Sequence, residues 1–108
     1  MQCETRKAVA DIAAIAAVDG VDGIFIGPAD LAADMGHLAD TQHAEVQAAI
    51  LDAGKRIRAA GKAPGFLSLR EDETRRVLAG GFLFVAVHTD VALLARQTEA
   101  LVKAFKPA

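Results

Sequence analysis

The sequence predicts an α/β fold built on a parallel sheet, and three observations lead there. Short apolar stretches alternate with longer segments in which apolar residues recur at helical spacing. A glycine or a capping residue stands at most of the changes of period. The stretch Phe82–Val87 is apolar at every position, as in a parallel strand covered on both faces. The resulting order, β-α-β-α-β-α-β-α, implies parallel strands joined by right-handed crossovers. Four such units in 108 residues are half of an eight-unit barrel, which takes roughly 250 residues. Residues 1–108 therefore read as one domain, a half barrel, with no linker or low-complexity tract to divide it.

The elements follow in order. Gln2-Cys3-Glu4 reads as the end of a strand. Thr5 stands where an N-cap belongs, and Ala8, Val9, Ile12, Ile15 and Ala16 give a helix from Thr5 to Val18, stopped by Asp19-Gly20. Gly23–Ile26 is a short strand, broken by Gly27-Pro28, which opens a helical turn. Asp34–Thr41 is a loop. His43–Ala60 is a long helix with Val46, Ala49, Ile50, Ala53 and Ile57 on one side, ended by Gly61. Ala63–Leu67 is the next strand. Ser68 and Glu71 have capping-box spacing, and the helix they open runs to Ala79 before Gly80-Gly81. After the strand Phe82–Val87, Thr89 or Asp90 caps a last helix to Phe105. An open four-stranded parallel sheet has two bare edges, and half a barrel has an unfilled interior. The chain is thus expected to pair with another body, unless its sheet is flat and doubly wound.

Composition excludes several classes of function. The chain is 53% hydrophobic and 24% charged with a net charge of -2. That balance offers no strong field for nucleic acid or an anionic membrane. No apolar run approaches the roughly 20 residues of a membrane span, and no signal segment opens the chain. The single cysteine, Cys3, rules out an internal disulfide and fits a cytoplasmic setting. It reads as a small buried apolar residue.

Ligands of parallel α/β folds bind at the carboxyl ends of the strands. Glu4 and Asp30 fall at the ends of neighbouring strands, about 5 Å apart laterally. Two carboxylates so placed suit one hard divalent cation bound through oxygen. They equally suit helix N-termini, where acidic side chains complement the dipole. Gly27-Pro28-Ala29-Asp30 lets a ligand approach the backbone at Gly27, puts proline at a first helical position, and aims the Ala29 and Asp30 N–H groups at an anion. An ordinary strand-to-helix turn has the same features. His37 reads as a loop surface residue, His43 as exposed at a helix start, and His88 as a strand-end histidine bonded to a loop. Lys55, Arg56, Arg58 and Lys62, like Arg70, Arg75 and Arg76, read as solvated helix faces. Nucleotide-binding glycine motifs are absent.

Gln2-Cys3-Glu4-Thr5 and Val21-Asp22-Gly23-Ile24-Phe25-Ile26-Gly27-Pro28-Ala29-Asp30-Leu31, taken together, resemble the HpcH/HpaI aldolase family, which is related to the citrate lyase β subunit. The likeness continues through Gly36-His37, Gly61-Lys62-Ala63-Pro64-Gly65, Phe84-Val85-Ala86-Val87 and Asp90–Leu94, and covers essentially the whole chain. The resemblance implies the C-terminal half of a TIM (β/α)8 barrel, from the end of strand five through strands six, seven and eight. It also implies class II, metal-dependent pyruvate aldolase chemistry: reversible retro-aldol cleavage of a 2-keto-4-hydroxy acid to pyruvate and an aldehyde. By the same resemblance Glu4 and Asp30 match the metal-binding carboxylates, for magnesium or manganese and also cobalt. Gln2 matches a glutamine at the substrate, Gly27, Pro28, Ala29 and Asp30 the cradle of the pyruvate carboxylate, and Leu67 a position on the aldehyde side.

The family's catalytic histidine, its supporting aspartate and its enolate-stabilising arginine belong to the N-terminal half, so no catalytic residue is expected in this chain. His37 and His43 do not match them, and His88 stands where a glycine is usual. The expected partners are a small 2-oxo acid such as pyruvate and either a complementary N-terminal half or further copies of the chain, because the family's oligomers use the C-terminal helix. Two other readings remain at this point: a non-catalytic binder of a metal and an oxo acid, or an unstable remnant.

Overall fold

Four parallel strands form a single sheet in the order β1-β2-β3-β4. They are β1 (Gln2–Cys3), β2 (Gly23–Ile26), β3 (Ala63–Leu67) and β4 (Phe84–Ala86). The computed structural model describes residues 1–106. Between the strands run α1 (Arg6–Ala10), α2 (Ile12–Ala16), α3 (Pro28–Asp34), α4 (Ala44–Ala59) and α5 (Glu71–Ala79), and α6 (Asp90–Phe105) follows β4. Chain order and sheet order coincide, as in a barrel wall rather than a doubly wound sheet whose strand order reverses. The fold is α/β, with the predicted alternation.

Register assigns the side chains to two faces, because successive residues of a strand point to opposite sides. Cys3, Ile26, Phe66 and Val85 form one row across the sheet. Cys3, Ile26 and Phe66 are fully buried, together with Ile24, against Ile12, Val46, Ile50, Ala53, Ile57 and Val77 from the helices. The apolar stripe of α4, read from residues 46, 50, 53 and 57, therefore faces this core. The neighbouring row, Gln2, Phe25, Gly65 and Phe84, points the other way. Phe84 is 65% exposed there, and a cavity of about 320 Å³ lies against Phe25, Ala63 and Phe84.

Several local expectations change. The predicted helix Thr5–Val18 is two segments that meet at Asp11, although Thr5 caps the first through Ala8 N–H to Oγ1 (3.1 Å). Asp11 still accepts from Ile15 N–H (3.0 Å), so the chain bends without losing its ladder. The last strand is three residues long instead of six. Leu83, Phe84 and Val87 are apolar but exposed, since β4 is an edge and nothing covers its open side. The Ser68–Glu71 capping box does not form. Ser68 Oγ instead accepts from Arg70 N–H (3.1 Å) and donates to Glu73 Oε2 (2.6 Å), and Arg70 takes the N-cap position. Thr89 caps α6 through Ala92 N–H (3.2 Å). No residue of α6 is buried, and the described chain measures 58 × 27 × 22 Å. None of the helices among the described residues is long and apolar enough to cross a membrane.

Candidate active site

The carboxyl ends of the strands carry the candidate residues. Continuing the register one step beyond Cys3 and Ile26 sets Glu4 beside Gly27, and Leu67 pairs with Ala86 in the same row. Glu4, Gly27, Leu67 and Ala86 thus line the open face, one layer above Gln2, Phe25, Gly65 and Phe84. The Gln2 side-chain amide donates to Glu4 Oε1, tying the two layers at β1. The Glu4 carboxylate lies directly over Gly27: a Cβ added there would sit 2.6 Å from Glu4 Oε1 and 2.8 Å from its Cγ. Glycine at position 27 is therefore what lets Glu4 fold onto the end of β2. The Gly27 N–H in turn donates to Cys3 C=O (3.2 Å), closing the ladder beneath them.

Helix α3 starts immediately afterwards. Pro28 occupies its first turn and Asp30 follows as its acidic residue. The first helical bond runs from Leu31 N–H to Gly27 C=O (3.1 Å), so the Ala29 and Asp30 N–H groups are free at the helix end. Asp30 is exposed and has no ion-pair partner among the described residues. At the far end of α3, Asp34 Oδ2 accepts from the Arg6 N–H (2.7 Å). That bond fixes α3 against the start of α1, the two elements that follow Glu4 and Gly27. The donor set of Glu4 and Asp30 is two carboxylates, the chemistry a hard cation such as Mg²⁺ requires.

Cys3, between Gln2 and Glu4, faces the opposite side and is fully buried. Burial pushes its thiol pKa up, so it is an apolar filler and not a nucleophile.

His88 stands apart from this row. Its Nε2 lies 3.2 Å from Arg96 Nη1, and its Nδ1 is buried without a partner. It lines a cavity of about 500 Å³ with Leu69, Arg70, Thr74, Leu78 and Arg96. Its neighbour is thus a helix arginine, where a loop bond was expected. His43 is likewise not free: it is the N-cap of α4, accepting from Glu45 N–H at Nδ1 (3.3 Å), and its ring stacks on that of His37.

Sequence reasoning missed one polar centre. Glu73 is almost fully buried and accepts from Ser68, Gln42 (2.8 Å) and Gln47 (2.9 Å). Its only sequence signal is the four-residue step to Val77, which places both on the buried stripe of α5.

A parallel α/β sheet in barrel order, with two carboxylates and a glycine-proline helix start at its carboxyl edge, defines a class of barrel-wall domain. Comparison with known proteins then gives the family. The HpcH/HpaI aldolase/citrate lyase profile matches residues 1–97, and the chain belongs to that family. It is 58% identical over 105 residues to the 4-hydroxy-2-oxo-heptane-1,7-dioate aldolase of Klebsiella pneumoniae, a match covering 97% of this chain and 40% of that protein. Among solved structures, an HpcH/HpaI aldolase from Desulfitobacterium hafniense superposes with a TM-score of 0.91 at 31% identity, over 99% of this chain and 42% of that one. A citrate lyase β subunit from M. tuberculosis, complexed with oxaloacetate and magnesium, matches at a TM-score of 0.56 and 27% identity, over 98% of this chain and 51% of its own. The four-stranded parallel sheet, with chain order and sheet order coinciding, is consistent with part of a barrel. The chain spans about two-fifths of the length of the curated relatives it matches.

Proposed function

We propose that this chain supplies the metal- and pyruvate-binding wall of a class II aldolase that reversibly cleaves a 2-keto-4-hydroxy acid to pyruvate and an aldehyde. In this reading its strands are the end of strand five and strands six to eight, the C-terminal half of the (β/α)8 barrel. The observation that carries the proposal is a pair of carboxylates at one edge of the sheet: Glu4, just past β1 and lying over Gly27, and Asp30, in the first turn of the helix that follows β2. The magnesium and oxaloacetate of the citrate lyase relative support the same cofactor and substrate class. A cytoplasmic setting and association into oligomers complete the proposal.

Glu4 and Asp30 hold the divalent ion, Mg²⁺ or Mn²⁺, with Co²⁺ also suited to an oxygen site with open positions. Bound there, such an ion supplies Lewis-acid polarisation of the 2-oxo group and lowers the energy of the enolate. The chain's own residues do the rest. Ala29 and Asp30 N–H groups at the start of α3 receive the substrate carboxylate. Pro28 fixes the backbone angle that presents them, and Gly27 leaves room for the approach. Gln2 holds the Glu4 carboxylate in place and borders the substrate. Leu67, in the same row, lines the side where the aldehyde leaves. The proton-transferring base and the arginine for the enolate oxygen come from the complementary half.

The test has two arms. The chain is co-expressed with the complementary barrel half, and pyruvate release from a 4-hydroxy-2-oxo acid is followed with Mn²⁺. Asp30→Asn and Glu4→Gln should each lower turnover roughly 100-fold or more. Calorimetry on the chain alone should show pyruvate binding only with the cation present. Binding without turnover in the reconstituted pair would instead favour a non-catalytic oxo-acid binder, and absence of both would end the aldolase reading.

A further inference from the structure

The turn between α3 and α4 gathers side chains that the aldolase reading does not use. Gly36 (φ 87°) ends α3. Its N–H donates to Ala33 C=O (3.0 Å) and the His37 N–H to Ala32 C=O (2.8 Å), a paired C-terminal closure that fixes the His37 backbone. The chain continues through Asp40 N–H to His37 C=O (3.0 Å) and His43 N–H to Asp40 C=O (3.3 Å). It then enters α4, where Glu45 lies in the first turn. Three side chains converge at this point. His37 Nε2 is 2.9 Å from Glu45 Oε2. The His37 and His43 rings stack with centroids 3.5 Å apart and planes 15° from parallel. One ligand atom from each of His37, His43 and Glu45 lies within 4.8 Å of the other two, the one such triplet of metal-ligating side chains among the described residues.

We propose that His37, His43 and Glu45 form a site for a divalent transition-metal ion of the Zn²⁺ or Ni²⁺ type, separate from Glu4 and Asp30. Two imidazoles with one carboxylate suit Zn²⁺ and Ni²⁺, whereas Mg²⁺ and Mn²⁺ prefer an all-oxygen set. The two sites lie at opposite ends of α3, on the order of 10 Å of helix apart. The backbone at His37 is already fixed, and the His37 side chain is only 22% exposed, so little ordering remains for that ligand. Metal–ligand bonds of about 2.0–2.1 Å put tetrahedral ligands roughly 3.3 Å apart. Closing from separations of up to 4.8 Å requires the His43 ring to turn out of its stack, and the hydrogen bond that holds the ring among the described residues is the long 3.3 Å one from Glu45 N–H. The cation takes the place of the hydrogen between His37 Nε2 and Glu45 Oε2, and the neutral His37 ring carries its one N–H on Nδ1 instead, so the step needs no net loss of a proton. Water fills the remaining coordination position. The ion then links the end of α3 to the first turn of α4.

Calorimetry and thermal melting of the intact chain with ZnCl₂, NiCl₂ and MgCl₂ test this. One Zn²⁺ per chain should bind with an affinity that falls as pH falls, raise Tm, and shift the His37 and His43 ring-nitrogen NMR signals, while Mg²⁺ leaves those histidine signals unmoved. His37→Phe keeps an aromatic stack and His43→Asn keeps a helix cap, so both should fold. Each should weaken Zn²⁺ binding at least about tenfold, the least that even a supporting residue of a metal site is worth, while Asp30→Asn leaves it intact. Zn²⁺ binding that survives His37→Phe with His43→Asn, binding that only Asp30→Asn removes, or unmoved histidine signals at saturating Zn²⁺ would each overturn the site.

Discussion

Gly27 shows how much one absent side chain can position. A methyl group there meets the Glu4 carboxylate, the far end of a flexible side chain, and not the backbone. Gly27→Ala should therefore leave the fold standing but swing Glu4 off the end of β2. The expected outcome is an unchanged cooperative melt with cation-dependent pyruvate binding lost in calorimetry. Cys3 makes the complementary case. Fully buried, with burial raising its thiol pKa, it should resist iodoacetamide at neutral pH and label only at the rate of opening, which a denaturant series with mass spectrometry measures. Two exposed acids contribute to the acid limb of stability. The hydrogen bond from His37 holds the Glu45 carboxyl below the usual range, and the Arg70 guanidinium does the same for Asp72. A carboxyl depressed in the folded state contributes stability that is complete above its unfolded value and is lost as pH falls through the folded one. Thermal melts between about pH 5 and pH 2 should show this loss, and Glu45→Gln should make the slope shallower.

Among the elements, α5 depends most on a polar contact. Glu73 gathers donors from the β3–α5 turn, the α3–α4 connection and α4 itself, joining three segments. Removing it strips the Gln42 amide of its acceptor and leaves the Ser68 hydroxyl and the Gln47 amide with only the Arg70 and Thr41 carbonyls. Glu73→Ala should cost about 1–3 kcal/mol in urea titrations. Glu71→Ala, which breaks only the exposed pair with Arg75 (2.6 Å), should cost under about 1 kcal/mol. The contrast also explains what could be read from the sequence. Periodicity located α4 and α6, and strand ends located the row of Glu4, Gly27 and Leu67, because both follow from spacing alone. The Ser68–Glu73 bond and the His37–His43–Glu45 cluster depend on how the α3–α4 connection folds back. Ser68-x-x-Glu71 has the same spacing whether or not a capping box forms, and the buried Glu73 won Ser68 instead.

At the scale of the whole molecule, the described chain has a radius of gyration of 16.1 Å, against about 13 Å for a compact domain of this length. The difference reflects the bare open face of the sheet and the outlying α6. Strands β1 and β4 are edges, and Phe84 adds exposed aromatic surface beside one of them. Such an edge invites pairing. Sedimentation velocity should show concentration-dependent association of the isolated chain, reduced by Phe84→Lys. The alternation of strands and helices made the four-stranded parallel sheet legible, since each helix returns the chain to start a strand in the same direction. The short edge strand was not legible, because Phe82–Val87 reads as doubly covered whether or not a neighbour exists to cover it.

Helix α6 has one more consequence. Sixteen residues make a rod roughly 24 Å long, with Leu94, Leu101 and the 81% exposed Phe105 bare to water. None of its residues is buried, in a chain whose longest extent is 58 Å. Docking of this helix on another body would shorten that extent while every peptide bond kept its geometry. X-ray scattering would register the event as a vanished tail in the pair-distance distribution, and circular dichroism would be blind to it.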